Sequence, residues 1–496
     1  MPKSAFHFAP MHPTPDDHNR ECVSGDLAPS PARICVIGAG PCGLAAMREL
    51  EAQGIDWCGY ELSTRVGGLW DIEHQGQKSP AYDSLRIDSS KRVMAFRGHD
   101  YPDDVPEFPG HRAVRSYLQG FAESESLLAR ICFSAEVLVC EPLEGAGYRV
   151  QISFKETGET LWEEFDGVIV ATGHHWLPQQ MEPRPEREFR GQSFHSSQYQ
   201  NSTTPAVLKD RKVVVVGFGN SAADIAVEAA KEARSVVLSV RRGAWVLPRY
   251  FLGKPIDEGS LLPHWIPGRL RRSIVTRTFR WLQGEMTQYG LPEPDHLIGE
   301  AHPTLSDELP ALVRSGAIKM AGPIRGYHGK RIVFSACPGA KQTRQQELET
   351  DVLIYCTGYQ VNFPFLDVQH VSVERNSLPL YYRVFHPQRP RLFFIGLAQT
   401  IGPIMPVAQA QARAIAEHIR GSYRLPATAA MEKSVAQDSR ANQQRFITSP
   451  RHSMQVVPEV YLPKLAREVR LGSSRTRGVS FGALDALGKP TKVHED

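Results

Sequence analysis

No apolar run in these 496 residues reaches the roughly 18 positions that a helix needs to cross a bilayer. The eight cysteines, at 22, 35, 42, 58, 132, 140, 337 and 356, lack disulfide spacing. No two of them stand three apart, which removes the CxxC motif of a thiol–disulfide enzyme. Cys35, Cys58 and Cys356 lie within apolar runs that read as buried strands, as expected of free thiols in a reducing compartment. An excess of either charge is also missing. Lys and Arg total 57 against 54 for Asp and Glu, a net charge of +3 that implies no nucleic-acid partner. No His/Cys cluster has ligand spacing, so no metal is expected. Residues 1–30 lack a basic-then-apolar leader and read as a disordered tail. A soluble, cytoplasmic protein is expected.

What the chain does contain is two glycine fingerprints for binding dinucleotides. Ile34-Cys35-Val36-Ile37 runs into Gly38-Ala39-Gly40-Pro41-Cys42-Gly43, and Val213-Val214-Val215-Val216 runs into Gly217-Phe218-Gly219-Asn220-Ser221-Ala222. Each places an apolar strand before a tight turn and a helix whose first amides face a pyrophosphate. In the second, Ala222 takes the third glycine position, which sets only helix–strand packing. The ends of the second strands differ in sign. Glu61 follows the first turn, whereas Arg241 and Arg242 follow the second. A carboxylate accepts hydrogen bonds from free ribose hydroxyls, and arginines suit a 2′-phosphate. The pattern predicts FAD at the first turn, through Gly38, Gly40, Gly43 and Glu61. It predicts NADPH at the second, through Gly217, Gly219, Asn220, Ser221, Arg241 and Arg242.

The predicted fold is α/β, with two Rossmann-like dinucleotide-binding domains, the second inserted into the first. Two similar runs, 166–173 and 351–359, each end an apolar strand in small residues and suggest duplication. The FAD domain is expected over 31–177 and 331–448, the NADPH domain over 178–330, and a partly mobile C-terminal extension over 449–496. Within the second domain, 269–282 places Leu270, Ile274, Val275, Thr278, Trp281 and Leu282 at helical spacing among five arginines. Such a basic amphipathic helix could lie on an anionic membrane. Packing on its own domain or on a second subunit is the favoured reading.

Between the turns lies Phe189-Arg190-Gly191-Gln192-Ser193-Phe194-His195-Ser196-Ser197-Gln198-Tyr199, which resembles the FxGxxxHxxx-plus-aromatic signature of the class B flavoprotein monooxygenases. The resemblance extends through Glu61 to Trp70, Tyr82 to Met94, Gly217 to Asp224, Ser239 to Pro248, Cys356 to Tyr359 and Phe394 to Leu397, over about 33 to 455. Gln200 after Tyr199 is similar to the flavin-containing branch that oxidises nitrogen and sulfur. The resemblance implies an NADPH- and O2-dependent monooxygenase that forms a C4a-hydroperoxyflavin and oxygenates a small molecule. It implies that Gly68, Leu69, Trp70 and Gln399 sit near FAD. It also implies that His195 links the domains without acting as acid or base, and that Tyr199 belongs to the catalytic region. A homodimer is a family-level expectation. Oxygen insertion next to a ketone, and an NADPH oxidase that releases H2O2, stand as alternatives.

Asp88 departs from the family pattern, which has asparagine before the Ser-Lys of Ile87-Asp88-Ser89-Ser90-Lys91. An amide donates and accepts, whereas an ionised carboxylate only accepts. An ionised Asp88 would disfavour negative oxygen adducts; a protonated one could donate as the amide does. Capping the next turn, or pairing with Arg86 or Lys91, would make it structural. Asp88 and Tyr199 are therefore the catalytic candidates.

Overall fold

A computed structural model describes residues 32–72, 79–258, 262, 266–339, 345–374, 376–447 and 454–476. The expected N-terminal tail and residues 477–496 lie outside the described residues.

In chain order, the elements that position the site begin with β1 (Arg33–Ile37), α1 (Pro41–Ala52), β2 (Asp56–Tyr60), β3 (Ile131–Cys132) and β4 (Gly167–Val170). There follow β5 (Gln192–His195), β6 (Lys212–Val216), α2 (Asn220–Ala229), β7 (Ser235–Ser239), α3 (Gly268–Gln283), β8 (Ile318–Ala321) and β9 (Val352–Tyr355). The chain closes with β10 (Leu392–Phe394), α4 (Met405–Ile419) and α5 (Pro458–Arg475). Two five-stranded parallel sheets result, ordered β10-β4-β1-β2-β3 and β8-β7-β6-β9-β5.

Parallel sheets covered on both faces need apolar strands without alternation, and the Val213–Val215 and Cys35–Ile37 runs supply them. On one face of the first sheet lies the core of α1 and α4, with Leu44, Met47, Ala408 and Ile415 fully buried. On the other, Cys35, Val168 and Phe394 meet Val150, Ile152 and Phe165 from a three-stranded antiparallel sheet over 135–165. The second sheet carries the Ala-rich face of α2 (Ala222, Ala223, Ala226) on one side. On the other, Val214, Val237 and Leu353 meet Ile332 and Phe334 of a hairpin.

Pairing of Val352–Tyr355 with Val213–Val216 keeps the second sheet running through Tyr355. Residues 331–334 and 346–349 form the hairpin that packs on that same sheet. These pairings argue for ending the second domain after Tyr355 and not at the expected 330/331 division. At the C-terminal end, within the extension expected to be partly mobile, 458–475 is helical and packs on α4.

Candidate functional site

At the first turn the backbone is pressed together. Gly38 has φ of +103°, and a Cβ there would stand 2.8 Å from the Ala171 carbonyl oxygen at the end of β4. A Cβ on Gly43 would overlap the Gly38 carbonyl itself, so α1 can start against the turn only with glycine. Gly40, the N-cap of α1, faces Gly68, whose Cα lies 3.5 Å from the position a Gly40 Cβ would take. Gly68, Leu69 and Trp70 form a short 3₁₀ turn, tied by Ser79 Oγ donating to the Leu69 carbonyl at 2.5 Å. Gly396 backs directly onto Cys42, which brings the stretch after β10 to the same turn. Gln399, three residues on, donates its N–H to Met454 at 2.9 Å and pairs with Gln455.

Glu61 is 5% exposed, and its side chain fastens this turn. Its two carboxylate oxygens accept the N–H of Ala39 at 2.5 Å and of Ser63 at 2.9 Å. Its own N–H donates to Cys132 at 2.9 Å. A carboxylate is acceptor-only, the chemistry that a ribose hydroxyl donates to. Glycines that a Cβ would crowd, with a buried acceptor at the strand end, fit the ribose and pyrophosphate of a dinucleotide.

The second turn repeats the arrangement with one relaxation. Gly217 has φ of +128°, and a Cβ would stand 2.7 Å from the Cys356 carbonyl oxygen. Ala222, however, keeps its methyl buried in the helix–sheet core where Gly43 could not. Asn220 opens α2, with Ser221 next to it half-buried. The Asn220 amide oxygen accepts the Leu305 N–H at 2.9 Å, and Thr304 Oγ1 donates to the Phe218 carbonyl at 2.6 Å. Past β7, Arg241 is exposed and Arg242 half-buried. Burial, and then the neighbouring Arg241, lower the Arg242 guanidinium from its ordinary value while Asp295 acts the other way. An anion bound there would relieve the repulsion between the two cations.

His195 ends β5 and is 2% exposed. Its Nδ1 accepts the Ser197 N–H at 3.0 Å, so the proton sits on Nε2, which donates to the Gly358 carbonyl at 3.1 Å. Burial holds the ring's pKa down to about 4. It is therefore a neutral latch from the signature motif to the chain leaving the second sheet. Tyr199 lies within the core of α2 and β6, 1% exposed, edge-on to Tyr82 with centroids 6.2 Å apart. That placement is one of packing, and it does not support contact with reacting atoms.

Asp88 meets the second domain. Asn220 Nδ2 donates to its Oδ2, and Arg249 Nη2 lies 3.8 Å from its Oδ1. Lys91 instead sends its ammonium to the carbonyls of Pro102, Asp103 and Val105. The helical turn beginning at Lys91 has no side-chain cap. Two neighbouring bonds reach the same helix and lie outside the sequence expectations. Tyr82 Oη donates to Asp224 Oδ2 at 2.6 Å, and Ser84 Oγ donates to Glu228. Asn220, Asp224 and Glu228 thus form one polar stripe on α2 at four-residue spacing, facing the loop 82–88. Their spacing on an otherwise Ala-rich helix was the available signal. A cleft of about 340 Å³ opens beside them, lined in part by Ser84, Phe108, Asp224, Arg249 and Tyr250.

The basic helix forms as α3 and buries Thr276 and Phe279, the latter edge-on to Trp245. Arg272 pairs with Glu300 and Arg280 with Glu293, while Leu270 and Trp281 stay exposed. Among the described residues, no helix is long and apolar enough to cross a membrane, and no metal-ligand cluster is present.

A family model described as flavin-binding monooxygenase-like matches residues 31–474. Human flavin-containing monooxygenase 5 is 33% identical over 441 residues, covering 85% of this chain and 80% of that protein. The rat dimethylaniline monooxygenase [N-oxide-forming] 2 is 32% identical over 455 residues, covering 88% and 82%. Among solved structures, S-allyl-L-cysteine S-oxygenase from Allium sativum aligns with a TM-score of 0.65 at 23% identity, over 90% of this chain and 92% of that one.

Proposed function

The chain belongs to the flavin-binding monooxygenase-like family, and from that premise we propose that it oxygenates a nitrogen or sulfur centre of a small molecule with NADPH and O2. The observation that carries the reading is the pair of glycine turns with opposite charge at their strand ends. Glu61, buried and accepting two amides, suits the ribose of FAD. Arg241 and Arg242, side by side past the strand end, suit the 2′-phosphate of NADPH. The relatives add weight on the side of heteroatoms, one being named for N-oxide formation and one similar fold for S-oxygenation.

Bound FAD and NADPH supply the oxygen-reactive centre and the hydride. The chain's own residues bind and orient. Gly38, Gly40 and Gly43 let the backbone approach a pyrophosphate, with Gly68, Leu69 and Trp70 closing over the same turn. Gln399 lies on the stretch that backs onto it. At the second turn Gly217, Gly219 and Ser221 do the corresponding work, and Asn220 ties the turn to Asp88. His195 stays neutral and moves no proton at pH 7. Over the whole reaction one oxygen atom enters the substrate and the other leaves as water, with two electrons from NADPH.

The test is stoichiometric. NADPH, O2, H2O2 and product are quantified together with a tertiary amine and with a thioether as substrates. One N-oxide or sulfoxide per NADPH supports the reading. All electrons recovered as H2O2 across a broad panel of both classes would overturn it in favour of an oxidase.

A further inference from the structure

The carboxylate at position 88 is held between two groups of the second domain, and the cation is the more sequestered partner. The Arg249 side chain is 13% exposed against 35% for Asp88. Its Nη1 lies 3.6 Å from Asp307 Oδ2, its backbone N–H donates to Asp307 Oδ1 at 2.9 Å, and its Nε is buried without an acceptor. Asp224 also lies within its field. A guanidinium flanked by carboxylates yet bidentate to none of these is placed by charge balance more than by hydrogen-bond geometry. The two segments meet again nearby, where the Ser90 N–H donates to Asp257 Oδ2 at 2.7 Å and Phe108 packs edge-on to Tyr250 at 5.2 Å. The register that brings 88 to 249 is therefore fixed on both sides.

We propose that Arg249 is a positioning residue that cancels the charge of Asp88 and turns that carboxylate toward the second domain. This allows an acid to stand where the family pattern has an amide. The inference rests on the flavin monooxygenase reading, because only there does a bare carboxylate at 88 oppose negative charge developing on oxygen. With Arg249 and the Asn220 amide as partners, the negative charge at position 88 is partly offset, which brings it closer to the amide's electrostatics.

The experiment uses R249Q, R249K, D88N and the double variant D88N/R249Q in the full chain. Two quantities are read: the fraction of NADPH electrons ending as H2O2, and the thermal midpoint of the protein without NADPH. R249Q is expected to raise the peroxide fraction about fivefold, the scale of one lost ion pair. D88N/R249Q should fall back toward wild type, and R249K should stay near it. D88N alone should leave the fraction unchanged or higher, because it removes one of the carboxylates that hold Arg249 in place. The midpoint losses of the two single variants should exceed that of the double variant when summed. The proposal is overturned if the double variant leaks as R249Q does, if D88N alone lowers the leak, or if the midpoint losses simply add. Should R249Q not fold, R249K and D88N still decide. Absence of any oxygenated product in wild type would remove the functional reading, while the midpoint cycle would still decide the pairing.

Discussion

Tyr82 donates its hydroxyl to Asp224 at 2.6 Å, across 142 residues of sequence. The bond joins the loop leading to Asp88 with the helix that opens the second glycine turn. Burial raises the Asp224 carboxyl, and the Tyr82 hydroxyl and Arg249 offset that rise. Removing the hydroxyl leaves a largely buried carboxylate short of a donor. Tyr82→Phe is expected to cost about 1–3 kcal/mol of stability, read as a shift in urea midpoint with an unchanged slope.

The first turn has no space where the second does. Gly43→Ala puts a methyl into the Gly38 carbonyl and should abolish FAD retention, measured as the flavin-to-protein ratio after gel filtration. Ala222→Gly in the second turn should retain FAD and cost about 1 kcal/mol, the ordinary loss for glycine within a helix.

Glu61→Gln keeps the size of the side chain but turns an NH2 group toward one of the two amides that the carboxylate accepts. Flavin affinity should fall about tenfold or more, because a donor then opposes a donor in a buried place. Fluorescence titration of the apoprotein with FAD gives the number.

Cofactor choice should reside in Arg241 and Arg242. Replacing both by Ala is expected to raise KM for NADPH about 10- to 100-fold, the scale of charge-assisted hydrogen bonds to a phosphate. KM for NADH should change little. Equal losses with both cofactors would assign the arginines a structural role.

Acid stability follows from the buried imidazoles. His174, His195, His386 and His418 are all held down to about 4 by burial. Between about pH 4 and 6.5 the unfolded chain binds protons that the native chain refuses, so stability rises with pH through that window. Midpoint against pH should show this rise, and His195→Gln should flatten it by up to one proton's worth of slope.

Much of the site was legible because its demands are local. A glycine that a Cβ would crowd, and a charge at a strand end, are set within about thirty residues, the size of one βαβ unit. His195 was legible for the same reason, sitting in a short motif with its own turn. The Asp88 partnership was not, since Arg249 lies 161 positions away and no periodicity links them. Tyr199 read as part of the chemistry because of its place in a motif, and burial against Tyr82 gives it a packing role. An apolar strand pattern does not say which sheet the strand joins, so the sequence alone could not assign Val352–Tyr355 to the second sheet. Only the register of Val352–Tyr355 on Val213–Val216 does so.

The outermost strands of the two sheets come from opposite directions along the chain. The second sheet takes its edge from Gln192–His195, upstream of its own glycine turn, and is complete at Tyr355. The first takes its last strand from Leu392–Phe394. During synthesis the half that starts first is therefore finished last. The outer edge of β4 has no partner strand until nearly four hundred residues have been made. All the strands of the second sheet, by contrast, have been made once Tyr355 is reached.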